Sequence, residues 1–296
     1  MIRILRAMWG RYWFAPEPAL QLAIARVLAA AIALRMLLSR DLAGVSGLAP
    51  EFWAGVETST RWRFLLFPGH ESLERALTAL AIVLLVGALL GIRPRTSAFV
   101  AAVLLYHLAP LESIIWTASP YGRGLTLPTL TLLLCGIAPS GDALVRGSVP
   151  MQPSWRYGWP LRLIQLWLVG VYFFSGLAKL RASGIEWAGS DNLTHWLRLA
   201  TQNDLVAVHR VIGSWLADRP VVAGAIGIGT MSFELGCVVA LASRRARPWF
   251  AVLAISFHAG IYLAMNITVN SWPLLLVFFD WERILARGRP LPAEPP

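Results

Sequence analysis

Apolar residues in this chain run in long blocks, not in the alternating stripes of a helix that keeps one face in water. An α-helix rising 1.5 Å per residue needs on the order of 20 residues to cross roughly 30 Å of hydrocarbon. Eight blocks qualify, at about 18–38, 76–92, 97–117, 124–139, 160–179, 220–242, 247–267 and 270–284. The last is short and carries Pro273. The pattern predicts an all-α fold, a polytopic transmembrane bundle of about eight helices forming one domain over residues 1–289. The proline-rich end, 290–296, is expected to be disordered.

Two long segments interrupt the blocks. Asp41 to Arg75, rich in Trp, Phe, Pro and Gly, is expected to be interfacial structure on the outer side. Arg181 to Arg219 sets Trp187, Leu193, Trp196 and Leu197 against Asp191, Arg198 and Asp204, an amphipathic pattern expected to lie along the membrane plane.

Composition agrees with a lipid solvent. Of 296 residues, 57% are hydrophobic and only 14% charged, with 14 tryptophans, a residue that favours the headgroup boundary. The net charge of +10 is scattered between apolar blocks and makes no basic face, so anionic lipid and topology explain it and a nucleic-acid partner is excluded. Fourteen basic residues flank the blocks on the side of the termini and ten lie on the other, in longer loops. Both termini are therefore expected in the cytoplasm. The basic start runs into Pro16, Glu17, Pro18 and Arg26, which argues against a cleavable leader. Cys135 and Cys237 sit in apolar blocks without metal-ligand spacing, so buried thiols are expected and no metal.

Charges inside a bilayer are costly and need a partner, a wet cavity or a function. Arg26, Arg35, His107, Glu112, Glu234 and His258 fall inside the blocks. Matched depths suggest Arg26 with Glu234, and Glu112 with Arg35 or Lys179, as ion pairs that set helix packing. His107 and His258 read either as satisfied core histidines or as site residues. Lys179 stands apart, because the chain uses 25 arginines and this one lysine. An ammonium gives up its proton when desolvated whereas a guanidinium does not. Beside Tyr172, Phe173 and Phe174, Lys179 is a candidate general base, the alternative being a side chain that snorkels to the outer interface. Ser175, Gly176 and Ala178 leave room for a neighbouring helix or a flat ligand. The GAIGIG run at 224–229 lies inside an apolar block and reads as helix packing, not a phosphate loop.

The segment from Tyr172 through Lys179 to Leu180, followed by Trp187 and by His195-Trp196-Leu197, resembles the signature of HTTM proteins, whose membrane domain is shared with vitamin K-dependent gamma-carboxylase. Phe233-Glu234-Leu235 and Phe257-His258 fall where that family has an acidic residue and a Phe-His pair. The resemblance implies a hydroquinone-linked membrane enzyme in which Lys179 deprotonates a reduced, vitamin K-like quinone near the outer face. Glu234 and His258 would assist catalysis, with Tyr172, Phe173, Tyr121 and His107 lining the cofactor site. Two departures alter the expectation. Ser119 stands where the carboxylase has a functional His, and no counterpart of its large lumenal domain follows the last block, so a small substrate or a separately delivered peptide on the outer face is expected. The alternative is an accessory membrane protein for peptide maturation or export, with the charges only organising the bundle. A transporter is disfavoured, since no inverted repeat is evident.

Overall fold

The computed structural model describes residues 9–10, 12–41, 44, 46–47, 70–115, 124–148, 151–201 and 207–287. Ser119, Tyr121, most of the segment after Asp41 and the 290–296 tail lie outside them, as does the side chain of Glu112. The described residues are helical without a strand, apart from one isolated bridge between Glu17 and Ser154. Five of the described helical stretches are long and apolar enough to cross a membrane: Ala19–Leu38, Glu71–Leu90, Trp155–Ala188, Pro220–Ala242 and Ala246–Met265.

Contacts divide the chain into two compact units, 1–164 with 280–296, and 165–279. In the first, α1 (Ala19–Leu38), α2 (Glu71–Leu90), α3 (Pro94–Ile115) and α4 (Thr126–Ile137) pack in a ring, α1 against α2 and α4, and α3 against the same two. Helix α1 is largely buried and built small: Ala23, Ala25, Ala29, Ala30 and Ala33 are all enclosed, which lets adjoining backbones approach closely. Helix α2 keeps Leu80, Val83, Val86 and Leu90 exposed, the pattern of a lipid-facing side. Its end is capped by Gly91 in the left-handed region, φ 75°, and Pro94 then opens α3.

Gly136 of α4 lies against the backbone of Phe99 on α3, where an added Cβ would sit 2.7 Å from the Phe99 Cα. Neither backbone can yield by rotating a side chain. Gly136→Ala is therefore expected to spread α3 from α4 and cost about 1–3 kcal/mol, typical of overpacking, measurable as a lowered thermal midpoint in detergent. Unchanged stability would mean that the two helices do not approach this closely.

The second unit begins within α5 (Trp155–Ser183) and continues through a 3₁₀ turn (Gly184–Ala188), α6 (Ser190–Thr201), α7 (Ala207–Ala217), α8 (Pro220–Gly236), the short α9 (Val239–Ala242) and α10 (Ala246–Met265). The amphipathic stretch resolves into α6 and α7, which bury Leu197 and Ala217 against Ala264 of α10. The GAIGIG run does serve packing: a Cβ at Gly227 would lie 2.6 Å from the Ala188 carbonyl oxygen.

The block 270–284 is not one spanning α-helix. It forms a 3₁₀ helix, Trp272–Phe278, an extended residue at Phe279, and α11 (Trp281–Arg287), which belongs to the first unit. Pro273 removes a backbone donor at the start, and Gln165 Nε2 donates to the Val277 carbonyl at 3.3 Å, satisfying a group that an α-helix would have paired internally.

Candidate functional site

The 100° step of α5 places Tyr172, Gly176 and Lys179 on one face, at i, i+4 and i+7. Gly176 brings α8 close, since a Cβ there would fall 2.8 Å from that of Glu234. The result is a tight ion pair: Lys179 Nζ donates to both Glu234 oxygens, at 2.6 and 2.8 Å. The Glu234 side chain is only 4% exposed, and that of Lys179 23%. On its other side the ammonium lies 4.9 Å from the centroid of the Trp187 ring, which the 3₁₀ turn presents as a cation–π face. Helix α8 ends one turn after Glu234, where the Cys237 thiol donates to the Glu234 carbonyl at 2.9 Å.

A second polar couple lies farther along the same face. The Tyr172 hydroxyl and His258 Nε2 are 2.6 Å apart. His258 Nδ1 is buried and has no hydrogen-bond partner among the described residues. Tyr172 packs edge-on against Phe233 and Phe250, with Phe257 completing an aromatic cluster. Because Phe233 precedes Glu234 in α8, this cluster links the two couples. Phe173, one step round α5, instead meets the exposed ring of Phe174.

The structure thus joins Lys179 with Glu234 and Tyr172 with His258 in the second unit. His107 belongs to the first, where its Nε2 is 3.0 Å from each oxygen of the buried Glu74. Tyr121 lies outside the described residues. The expected Arg26–Glu234 pair is corrected: Glu234 takes Lys179, while Arg26, fully buried, donates to the Ser140 carbonyl and, at 3.2 Å, to that of Leu144. Backbone carbonyls in the turns that follow α4 answer the guanidinium. Lys179 takes Glu234 as its partner, and the expected pairing of Glu112 falls outside the described side chains.

Sequence reasoning missed three participants. Arg162, one of the fourteen basic residues counted as flanking the blocks on the side of the termini, is buried against Glu17, with its guanidinium 5.8 Å from the Tyr12 ring centroid. Glu74 lies just outside the apolar block at 76–92 and is not among the ionisable residues singled out there. Trp187 as the aromatic neighbour of Lys179 had one signal, its place just beyond the lysine in the same signature.

Fold and site together define a membrane-embedded helical protein with a carboxylate-bound lysine inside one helical unit. The HTTM domain family matches residues 14–281, and the chain belongs to that family. Resemblance to gamma-carboxylase is a general property of HTTM proteins. No curated protein and no solved structure matches the chain.

Proposed function

We propose that this protein carries out a hydroquinone-linked reaction in which Lys179 is the base. The observation carrying the reading is the Lys179–Glu234 pair, an amine and a carboxylate in hydrogen-bond contact where the resemblance puts the family's lysine. Such a pair has no net charge whether the shared proton rests on nitrogen or on oxygen. With the proton on Glu234, the Nζ lone pair can accept another, and the resulting cation lies beside the Trp187 face.

The donor set suits a quinol head group. Tyr172, Phe233 and Phe257 offer aromatic surface, and the buried His258 Nδ1 lacks a partner that a ligand hydroxyl would supply. When bound, a reduced quinone supplies an acidic hydroxyl and two electrons. Lys179 takes the hydroxyl proton, Glu234 retains the one displaced from the ammonium, the Tyr172–His258 couple orients the head group, and the aromatic cluster excludes water.

A second reading is favoured by one feature of the same pair. Both oxygens of Glu234 engage one amine, as in a clip holding α5 to α8, which is all that an accessory membrane protein needs. Purified protein supplied with reduced quinone, dioxygen, carbon dioxide and a peptide or small-molecule acceptor separates the two. Quinone epoxide formation or carbon dioxide incorporation supports the enzyme, and a folded protein giving neither, across several quinones, supports the clip.

A further inference from the structure

Along α1 and α2, two open cavities adjoin, with Leu38 and Ser39 in both linings, and we treat them as one groove. One, of about 460 Å³, is walled by Arg40, Asp41, Arg75, Thr78 and Ile82 among others. The other, of about 400 Å³, continues along α1 past Leu34 to Ala31, with Leu89 of α2 opposite. Each volume falls in the range of about 300–1,000 Å³ in which small-molecule sites occur. Polarity is divided along its length: guanidinium, carboxylate and hydroxyl groups at one end, and an apolar channel with Arg35 at its edge towards the other.

We propose that this groove is a phospholipid site, with the lipid phosphate at Arg40 and Arg75 and one acyl chain along Leu34, Leu38, Ala31 and Leu89. Three observations converge on it. The guanidinium fork matches phosphate geometry, and the bonds from Arg75 to Glu71, at 2.9 and 2.7 Å, and to Asp41, at 3.5 Å, use only its Nε and Nη2. Thr78 Oγ1 is buried with no hydrogen-bond partner among the described residues, and a phosphate or ester oxygen would answer it. Apart from Arg35 and Ser39 the second cavity is lined by apolar side chains, which can bury a hydrocarbon chain that a free phosphate ion lacks. Asp41 and Glu71 hold Arg75 at the rim in these exposed contacts, which are worth little individually and leave the fork free to turn towards an anion.

Native mass spectrometry of the full chain in detergent tests this, with dioleoyl phosphatidylglycerol, dioleoylglycerol and inorganic phosphate as separate probes. The phospholipid is expected to bind at least about tenfold more tightly than the diacylglycerol, and the R40Q/R75Q variant to lose about tenfold of that affinity, the scale of one charge-assisted hydrogen bond. Equal binding of the two lipids, unchanged binding by R40Q/R75Q, or displacement of the phospholipid by millimolar phosphate alone would each overturn the proposal. Leu34→Trp fills the channel without touching an ion pair, so the test survives if the arginine variant does not fold. Loss of the lipid with helical content intact supports the site, and retention overturns it.

Discussion

Lys179→Arg is expected to abolish hydroquinone-dependent product formation while leaving the bundle folded. Arginine keeps the positive charge, reaches Glu234 and can stack on Trp187, so every packing function of the residue survives. It cannot give its proton to Glu234, because guanidinium stays protonated in proteins, and the lone pair needed for base catalysis never forms. General-base contributions run to about 10²–10⁴-fold, and the turnover of Lys179→Arg is expected to fall by that amount with its thermal midpoint nearly unchanged. Lys179→Ala should lose as much activity but also stability, since it strands a carboxylate that is almost fully enclosed. Equal turnover by Lys179→Arg and the parent protein would remove the base from the mechanism and leave the α5–α8 clip as the role of the pair.

Glu17→Ala is expected to destabilise the first unit strongly. Arg162 on α5 is 1% exposed and Glu17 7% exposed, and the bridge between Glu17 and Ser154 ties the same two segments through their backbones. Gly158 lies beneath them, where any Cβ would strike the Ala15 carbonyl oxygen. Removing the carboxylate leaves a guanidinium enclosed without its counter-charge, a loss of about 3–5 kcal/mol, a large share of the roughly 5–15 kcal/mol that holds a typical domain folded. Replacing both partners by apolar residues, Glu17→Leu with Arg162→Met, should cost far less, because nothing charged is then left buried. Chemical unfolding in detergent of the single and double variants measures the difference. A double variant as unstable as Glu17→Ala alone would mean that the pair is not the source of the stability.

Much of the helical plan was legible because lipid imposes a length and a composition on anything that crosses it. The blocks beginning near residues 18, 76, 160, 220 and 247 each correspond to a helix of spanning length. The block at 270–284 was misread for a local reason: hydropathy counts apolar side chains, whereas Pro273 and the break at Phe279 act on backbone donors. The candidate site divides in the same way. That Lys179 is chemically singular follows from its being one lysine among 25 arginines, and the resemblance marked Glu234 and His258. Which of them meet did not follow.

By itself, the sequence determined that this protein is built of apolar helices suited to a bilayer, that it carries the HTTM signature, and that one amine lies in an aromatic setting. Tertiary structure alone decided the partners: Glu234 for Lys179, His258 for Tyr172, backbone carbonyls for Arg26, Glu17 for Arg162 and Glu74 for His107. The reason is that burial depth along a helix can be counted from residue number, but the direction a side chain faces depends on which helices are neighbours. Backbone carbonyls as well as carboxylates can accept hydrogen bonds from a buried cation, as at Arg26, so charge matching alone could not name its partner.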